Sequence, residues 1–167
     1  MLNYIIIAVC LICSAFFSAS EISYASAGEV RLRCAAEEKG SLAARLALKI
    51  HADYDKALAT ILIGNNLVNI AAESVATVIV IAVLGEKMAW VATIAMTVLV
   101  LIFGEIVPKV VAKTMPETFA TLFAIPLHAL SIVTKPFVFL VDSALKLVSL
   151  LWKNNMEETP SVTEEEL

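Results

Sequence analysis

The sequence predicts an all-α integral membrane protein, and three observations carry that prediction. The 167-residue chain is 60% hydrophobic, whereas a soluble domain has roughly 45–50% apolar residues. The apolar residues come in blocks: 2–20 contains no charged residue, 57–84 contains only Glu73, and 88–107 contains only Glu105. An uncharged apolar run of about 18 residues or more can cross the hydrocarbon core as a helix. The stretch between the first two blocks mixes charges with apolar residues at helical spacing, the pattern of a helix lying on a membrane surface.

The first span is expected over about 2–27. No basic residue precedes its apolar run, and Glu21 follows within a continuing helical pattern, so it reads as a retained span rather than a cleaved leader. Cys10 and Cys13 sit three residues apart in that span with no histidine nearby, and they read as small buried side chains. Together with Cys34 they do not make a disulfide framework. Residues 28–53 hold Arg31, Arg33, Lys39, Arg45 and Lys49. They are expected to form one or two amphipathic juxtamembrane helices, broken near Gly40.

The second span is expected over about 57–84 and the third over 88–111. The connector "GEK" (85–87) is so short that the two must form an antiparallel pair. Lysine and arginine set orientation. Five basic residues in the first loop and one in the connector put the N-terminus outside, the first loop inside and the C-terminus in the cytosol.

Residues 116–153 are harder to read. "PFVFLVDSALKLVSLLW" (136–152) is apolar enough for a fourth span, but Asp142, Lys146, Ser149 and Lys153 form one polar stripe. A fourth span would also carry the acidic tail across the membrane. An interfacial helix on the inner face is therefore expected, broken into short pieces at Pro116, Pro126 and Pro136. Residues 1–153 then make one membrane domain. Residues 154–167 read as the acidic start of a cytosolic helical region, with Thr163 as N-cap, and the chain is expected to be a piece of a longer protein. The five glutamates of that tail more than account for the net charge of −4. Nothing points to a nucleic-acid partner; the lipid bilayer is the expected surrounding.

Ionisable and polar groups inside a span are costly, and they mark functional positions. Three clusters qualify. In "SAFFSASE" (14–21), Ser14, Ser18 and Glu21 share one helix face. In "GNNLVNIAAES" (64–74), Asn65, Asn69 and Glu73 do the same, and Asn66 points elsewhere. In "GEIVPK" (104–109), Pro108 has no N–H for the Gly104 carbonyl, so a local π-turn is expected beside Glu105. Each cluster has a plainer reading: close helix contacts for the serines, a helix-to-helix staple for the asparagines, and a kinked helix with a passive glutamate. Together they offer hydroxyl, amide, carboxylate and main-chain oxygens, with no thiol or imidazole. An all-oxygen set suits magnesium, calcium or sodium rather than zinc or copper. No nucleophile–base set or phosphate loop appears, so an enzyme is not expected.

The segments "SAFFSASEISYAS", "ATILIGNNLVNIAAES" and "LIFGEIVPKVVA", in this order and spacing, resemble the transmembrane (DUF21) domain of the CNNM/CorC family of magnesium transporters. The resemblance implies a homodimer in the plasma membrane with three spans per subunit. It implies Mg2+ as the transported ion, with Na+ as coupling ion and export as the direction. Residue by residue it implies Ser18, Asn69 and Glu105 as metal ligands, with Ser14, Asn65 and Gly104 at neighbouring motif positions. Family members continue into a cytosolic CBS-pair domain that this sequence lacks. The competing expectation is a membrane module that senses a cation, or holds a dimer, without transporting.

Overall fold

The computed structural model describes residues 1–153, with side chains through Phe139 apart from Lys39, and that of Ser143. The expected cytosolic start at 154–167 lies outside the described residues. Two compact units are present, Met1–Thr134 and a second beginning at Lys135.

All regular structure among the described residues is helical. Helix α1 (Leu2–Ser26) is followed by α2 (Glu29–Lys39) and α3 (Leu42–Ala52). The break between α2 and α3 falls at Gly40, whose φ of 56° ends α2 in the left-handed conformation, which a side chain disfavours. Ser41 then caps α3, its side chain accepting from the Ala44 N–H at 3.2 Å. Helix α4 (Tyr54–Leu84) follows, and a single 3-10 turn at Glu86–Met88 reverses the chain. The next rod has three parts: α5 (Ala89–Leu99), a π-helical segment (Val100–Ile106) and α6 (Val107–Thr114). Last comes α7 (Pro116–Lys153).

Alternation of direction is visible in the packing. Ile7, Cys10 and Leu11 of α1 pack with Ala72 and Ala76 of α4, while Phe17 and Tyr24 pack with Ile61 and Ala57. Helices α1 and α4 are therefore antiparallel neighbours. Ala72 and Ala76 also meet Ala92, Met96 and Val100, and these small residues let α4 and α5 approach closely. The outward faces are apolar and exposed: Leu67, Ile70, Val78, Ile94, Phe103 and Val110 among others. In a soluble protein that surface would aggregate; here it is the surface that lipid covers.

Among the described residues four helical stretches are long and apolar enough to cross a membrane: Leu2–Ser26, Tyr54–Leu84, Glu86–Thr114 and Pro116–Phe139. The first three match the expected spans. The fourth differs from expectation because Pro126 and Pro136 do not interrupt α7. Each proline removes one helical N–H, and α7 keeps its remaining helical bonds through both positions. Pro116 sits at the first helical position, where no N–H is needed. Two cysteines also differ in part from expectation: Cys10 and Cys13 are only half-buried.

The first half of α7 closes the end of the bundle that carries α2 and α3. Ala120, Ala124 and Leu127 are buried against Tyr24, Leu32, Ala47, Ile50 and Ile61. Polar contacts fix the same junction. Tyr24 Oη donates to the Ala120 carbonyl at 2.7 Å, and Glu117 Oε1 accepts from the Gly28 N–H at 3.3 Å and pairs with Arg31 Nε at 2.9 Å. The hydroxyls of Thr60 and Thr134 lie 3.0 Å apart.

Candidate cation site

The third rod meets α1 at the π-helical segment. Val107 donates its N–H to the Ile102 carbonyl, five residues back. Pro108 follows with no N–H to give, either to Phe103 five residues back or to Gly104 four residues back. The wide turn expected here is thus present, and it begins at Val100, further towards α5 than the proline alone indicated. Gly104 is buried at this point. A Cβ placed on it would lie 2.7 Å from Ser14 Oγ and 3.2 Å from Ser14 Cβ, so only glycine allows the two backbones this close.

Ser14 is the meeting point. Its hydroxyl donates to Asn65 Oδ1 at 2.9 Å and it is fully buried. Three helices therefore converge at one level: α1 through Ser14, α4 through Asn65, and the π segment through Gly104. Directly before Asn65, Gly64 receives the ring of Phe17; a Cβ there would overlap Phe17 Cζ. The glycine of the "GNN" motif is thus a packing requirement, with the buried Phe17 filling the space.

Ser18 and Asn69 occupy a different position. Each lies four residues beyond a member of the Ser14–Asn65 pair, about 6 Å along its own axis. Because α1 and α4 are antiparallel, the two lie on opposite sides of that level. Side chains lean towards the N-terminus of their helix, Ser18 as much as Ser14 and Asn69 as much as Asn65, so the two oxygens stay on opposite sides of the Ser14–Asn65 contact. Ser18 Oγ and Asn69 Oδ1 are the buried side-chain polar atoms without a hydrogen-bond partner among the described residues. Buried oxygens of this kind are rare and need a reason, such as a ligand or an ion. Ser20 and Ser23 differ: their hydroxyls donate to the carbonyls of Phe16 and Ala19, four residues back.

Glu105 follows Gly104 directly and is half-buried; it makes no ion pair among the described residues. Asn66 is exposed and its amide donates to the Leu62 carbonyl at 2.9 Å, in keeping with its place off the polar face. No three His, Cys, Asp or Glu side chains gather among the described residues. The donors at hand are mainly neutral oxygens around one carboxylate.

One contact near the site was not apparent from the sequence. Lys109 Nζ lies 3.1 Å from Glu21 Oε2, joining α6 to α1. The available signal was spacing: Glu21 is three residues after Ser18, and Lys109 is four after Glu105.

Residues 5–167 match the family description "Cyclin M transmembrane N-terminal domain". A UPF0053 protein of Haemophilus influenzae is 38% identical over 83% of the chain and 33% of its own length. The UPF0053 inner membrane protein YfjD of Escherichia coli is 32% identical over 92% of the chain and 36% of its own length. A chloroplastic DUF21 domain-containing protein of Arabidopsis thaliana is 35% identical over 98% of the chain and 25% of its own length. The chain thus spans about a quarter to a third of the curated relatives it matches.

Proposed function

This chain belongs to the family of the cyclin M transmembrane N-terminal domain, and from that premise we propose that it is the ion-translocating part of a magnesium transporter. The observation that carries the reading is the pair of unpartnered buried oxygens, Ser18 Oγ and Asn69 Oδ1, one on either side of the level where Ser14, Asn65 and Gly104 meet. Magnesium gives up its waters reluctantly. Buried oxygens on α1 and α4 that no protein group occupies can take the place of its waters in turn along a path, without first breaking protein hydrogen bonds. Glu105 supplies the negative charge beside them, and the π-helical turn before Pro108 brings main-chain carbonyls into the same wall. Coupling to Na+, with Mg2+ leaving the cell as the site opens to one side at a time, completes the proposal.

Three spans in a plasma-membrane homodimer, with the N-terminus outside, are part of this reading. The positions of the basic residues support it. So does the packing of α7. From Glu117 to Thr134 its partners include Gly28, Tyr24 and Thr60, which lie at the end of the bundle next to α2 and α3, and between them Phe123 packs on Phe16 further along α1. A helix of that length running along the bundle axis would advance about 25 Å and leave that end behind. This portion of α7 is thus read as lying at the inner surface. A cytosolic CBS-pair domain belongs to the same proposal, as a regulatory part of the longer protein.

The test is Mg2+ flux by the full-length protein in sealed vesicles. Glu105→Gln and Asn69→Ala are expected to reduce flux at least tenfold while the protein still inserts and purifies. Parent-like flux in both variants overturns the reading. Magnesium binding that depends on Glu105 but gives no flux even in the parent favours a sensing module instead.

A further inference from the structure

The Glu21–Lys109 pair lies between the polar middle of the bundle and α2. Along α1 the face that begins at Ser14 and Ser18 continues, within the next turn, to Glu21. Along the third rod Lys109 follows Glu105 by one turn. The two meet across the helix interface at 3.1 Å, with about a third of each side chain still exposed. Towards the middle of the bundle lie Ser18, Gly104 and Glu105; in the other direction lie α2, α3 and the charged surface.

Lys109 has another carboxylate within its own helical repeat. Glu105 lies four residues before it, the spacing at which a glutamate and a following lysine pair favourably. The structure instead places the ammonium on Glu21 of a different helix. Two consequences follow. Glu105 is left without a basic partner among the described residues, and the Glu21 carboxylate, which otherwise would attract a cation at the mouth of the path, already holds one.

We infer that Lys109 is a tethered cation that closes the α2-side mouth of the ion path by occupying Glu21, and that a divalent cation passing this point displaces it. The inference rests on the proposed ion path through Ser18, Asn69 and Glu105. Its physical basis is competition for one carboxylate. At equal distance a divalent ion interacts with Glu21 twice as strongly as the ammonium does, so Mg2+ can displace Lys109 where a monovalent ion gains no such advantage. A lysine suits the task because its charge is a compact point on a flexible stem that withdraws without disturbing the backbone. An arginine with a bidentate grip would release less readily. Lys109 is here a positioning residue, acting on the ion through Glu21.

The two members of the pair therefore have opposite effects, which a merely structural salt bridge would not. In vesicles carrying the full-length protein, with Mg2+ supplied on the α2 side, Lys109→Gln frees Glu21. The half-saturating Mg2+ concentration is expected to fall about tenfold, the range of a coupling between charged sites. Glu21→Gln removes the carboxylate and releases the lysine charge into the mouth, so the same concentration rises by a similar factor. Maximal flux is expected to stay within about twofold of the parent in both. The exchanged pair, Glu21→Lys with Lys109→Glu, is expected to return half-saturation towards the parent value. Shifts in the same direction, or no shift in either variant, overturn the gate. If Lys109→Gln fails to insert, Glu21→Gln and the exchanged pair decide the question alone. Glu105→Gln in the same assay separates the two proposals. Lost flux there together with unmoved half-saturation in the pair variants sinks the gate only, whereas parent-like flux in Glu105→Gln sinks the ion path itself.

Discussion

The last turns of α1 and its middle are both lined with buried hydroxyls, and they dispose of them in opposite ways. At the α2 end, Ser20 and Ser23 donate to carbonyls of their own helix and Tyr24 donates to the Ala120 carbonyl of α7. Tyr24 is only 1% exposed, yet its hydroxyl is satisfied. In the middle, Ser14 reaches Asn65, but Ser18 and, across the interface, Asn69 each keep a buried oxygen without a partner. An α-helix offers Ser18 the same carbonyl four residues back that it offers Ser20 and Ser23, so the difference does not come from a shortage of acceptors. The end of the helix is built for stability, with every polar group matched. The middle is held by close packing and leaves oxygens to be matched by something that is not protein.

This contrast can be broken by substitution. The largest expected effect is at Gly64, where the ring of Phe17 occupies the place of a Cβ. Gly64→Ala is expected to cost about 2 kcal/mol or more through overpacking, read as a lower unfolding temperature in detergent, with Phe17→Leu in the same chain recovering part of it. Tyr24→Phe comes next. It removes the second donor of a carbonyl that keeps its helical bond to the Ala124 N–H, at a cost of about 1 kcal/mol, and parent-like maximal Mg2+ flux is expected because the Tyr24 hydroxyl is already bound to protein. The smallest effect on stability is at Ser18. Ser18→Ala removes a buried hydroxyl that has no protein partner, so unfolding is expected to move by less than about 0.5 kcal/mol, or to shift towards greater stability. Flux is expected to fall all the same. A Ser18→Ala protein that loses stability as Tyr24→Phe does would remove the distinction between the two regions.

Much of the fold is legible in the residues. Three apolar blocks become three long helices, Gly40 and Ser41 separate α2 from α3, and "GEK" becomes a one-turn reversal. Local chemistry suffices in each case, because helix length, a left-handed glycine and a capping hydroxyl act within a few residues. The continuity of α7 was not legible. Proline disfavours a helix interior by one lost hydrogen bond and a local clash, and whether packing along the rest of α7 outweighs that at Pro126 and Pro136 depends on tertiary contacts that the sequence does not display.

The candidate site divides in the same way. By itself the sequence determined the inventory: oxygen donors spaced along one face of each span, and a proline one turn after a glutamate. Helical periodicity is enough to put residues on a face. Only the tertiary structure decided which residues meet. Antiparallel packing of α1 and α4 sets Ser14 opposite Asn65 and moves Ser18 and Asn69 to either side of them. The depth at which the π segment enters brings Gly104 onto Ser14 and directs Lys109 to Glu21. Register between helices is a property of two packed surfaces, and no spacing within one helix encodes it.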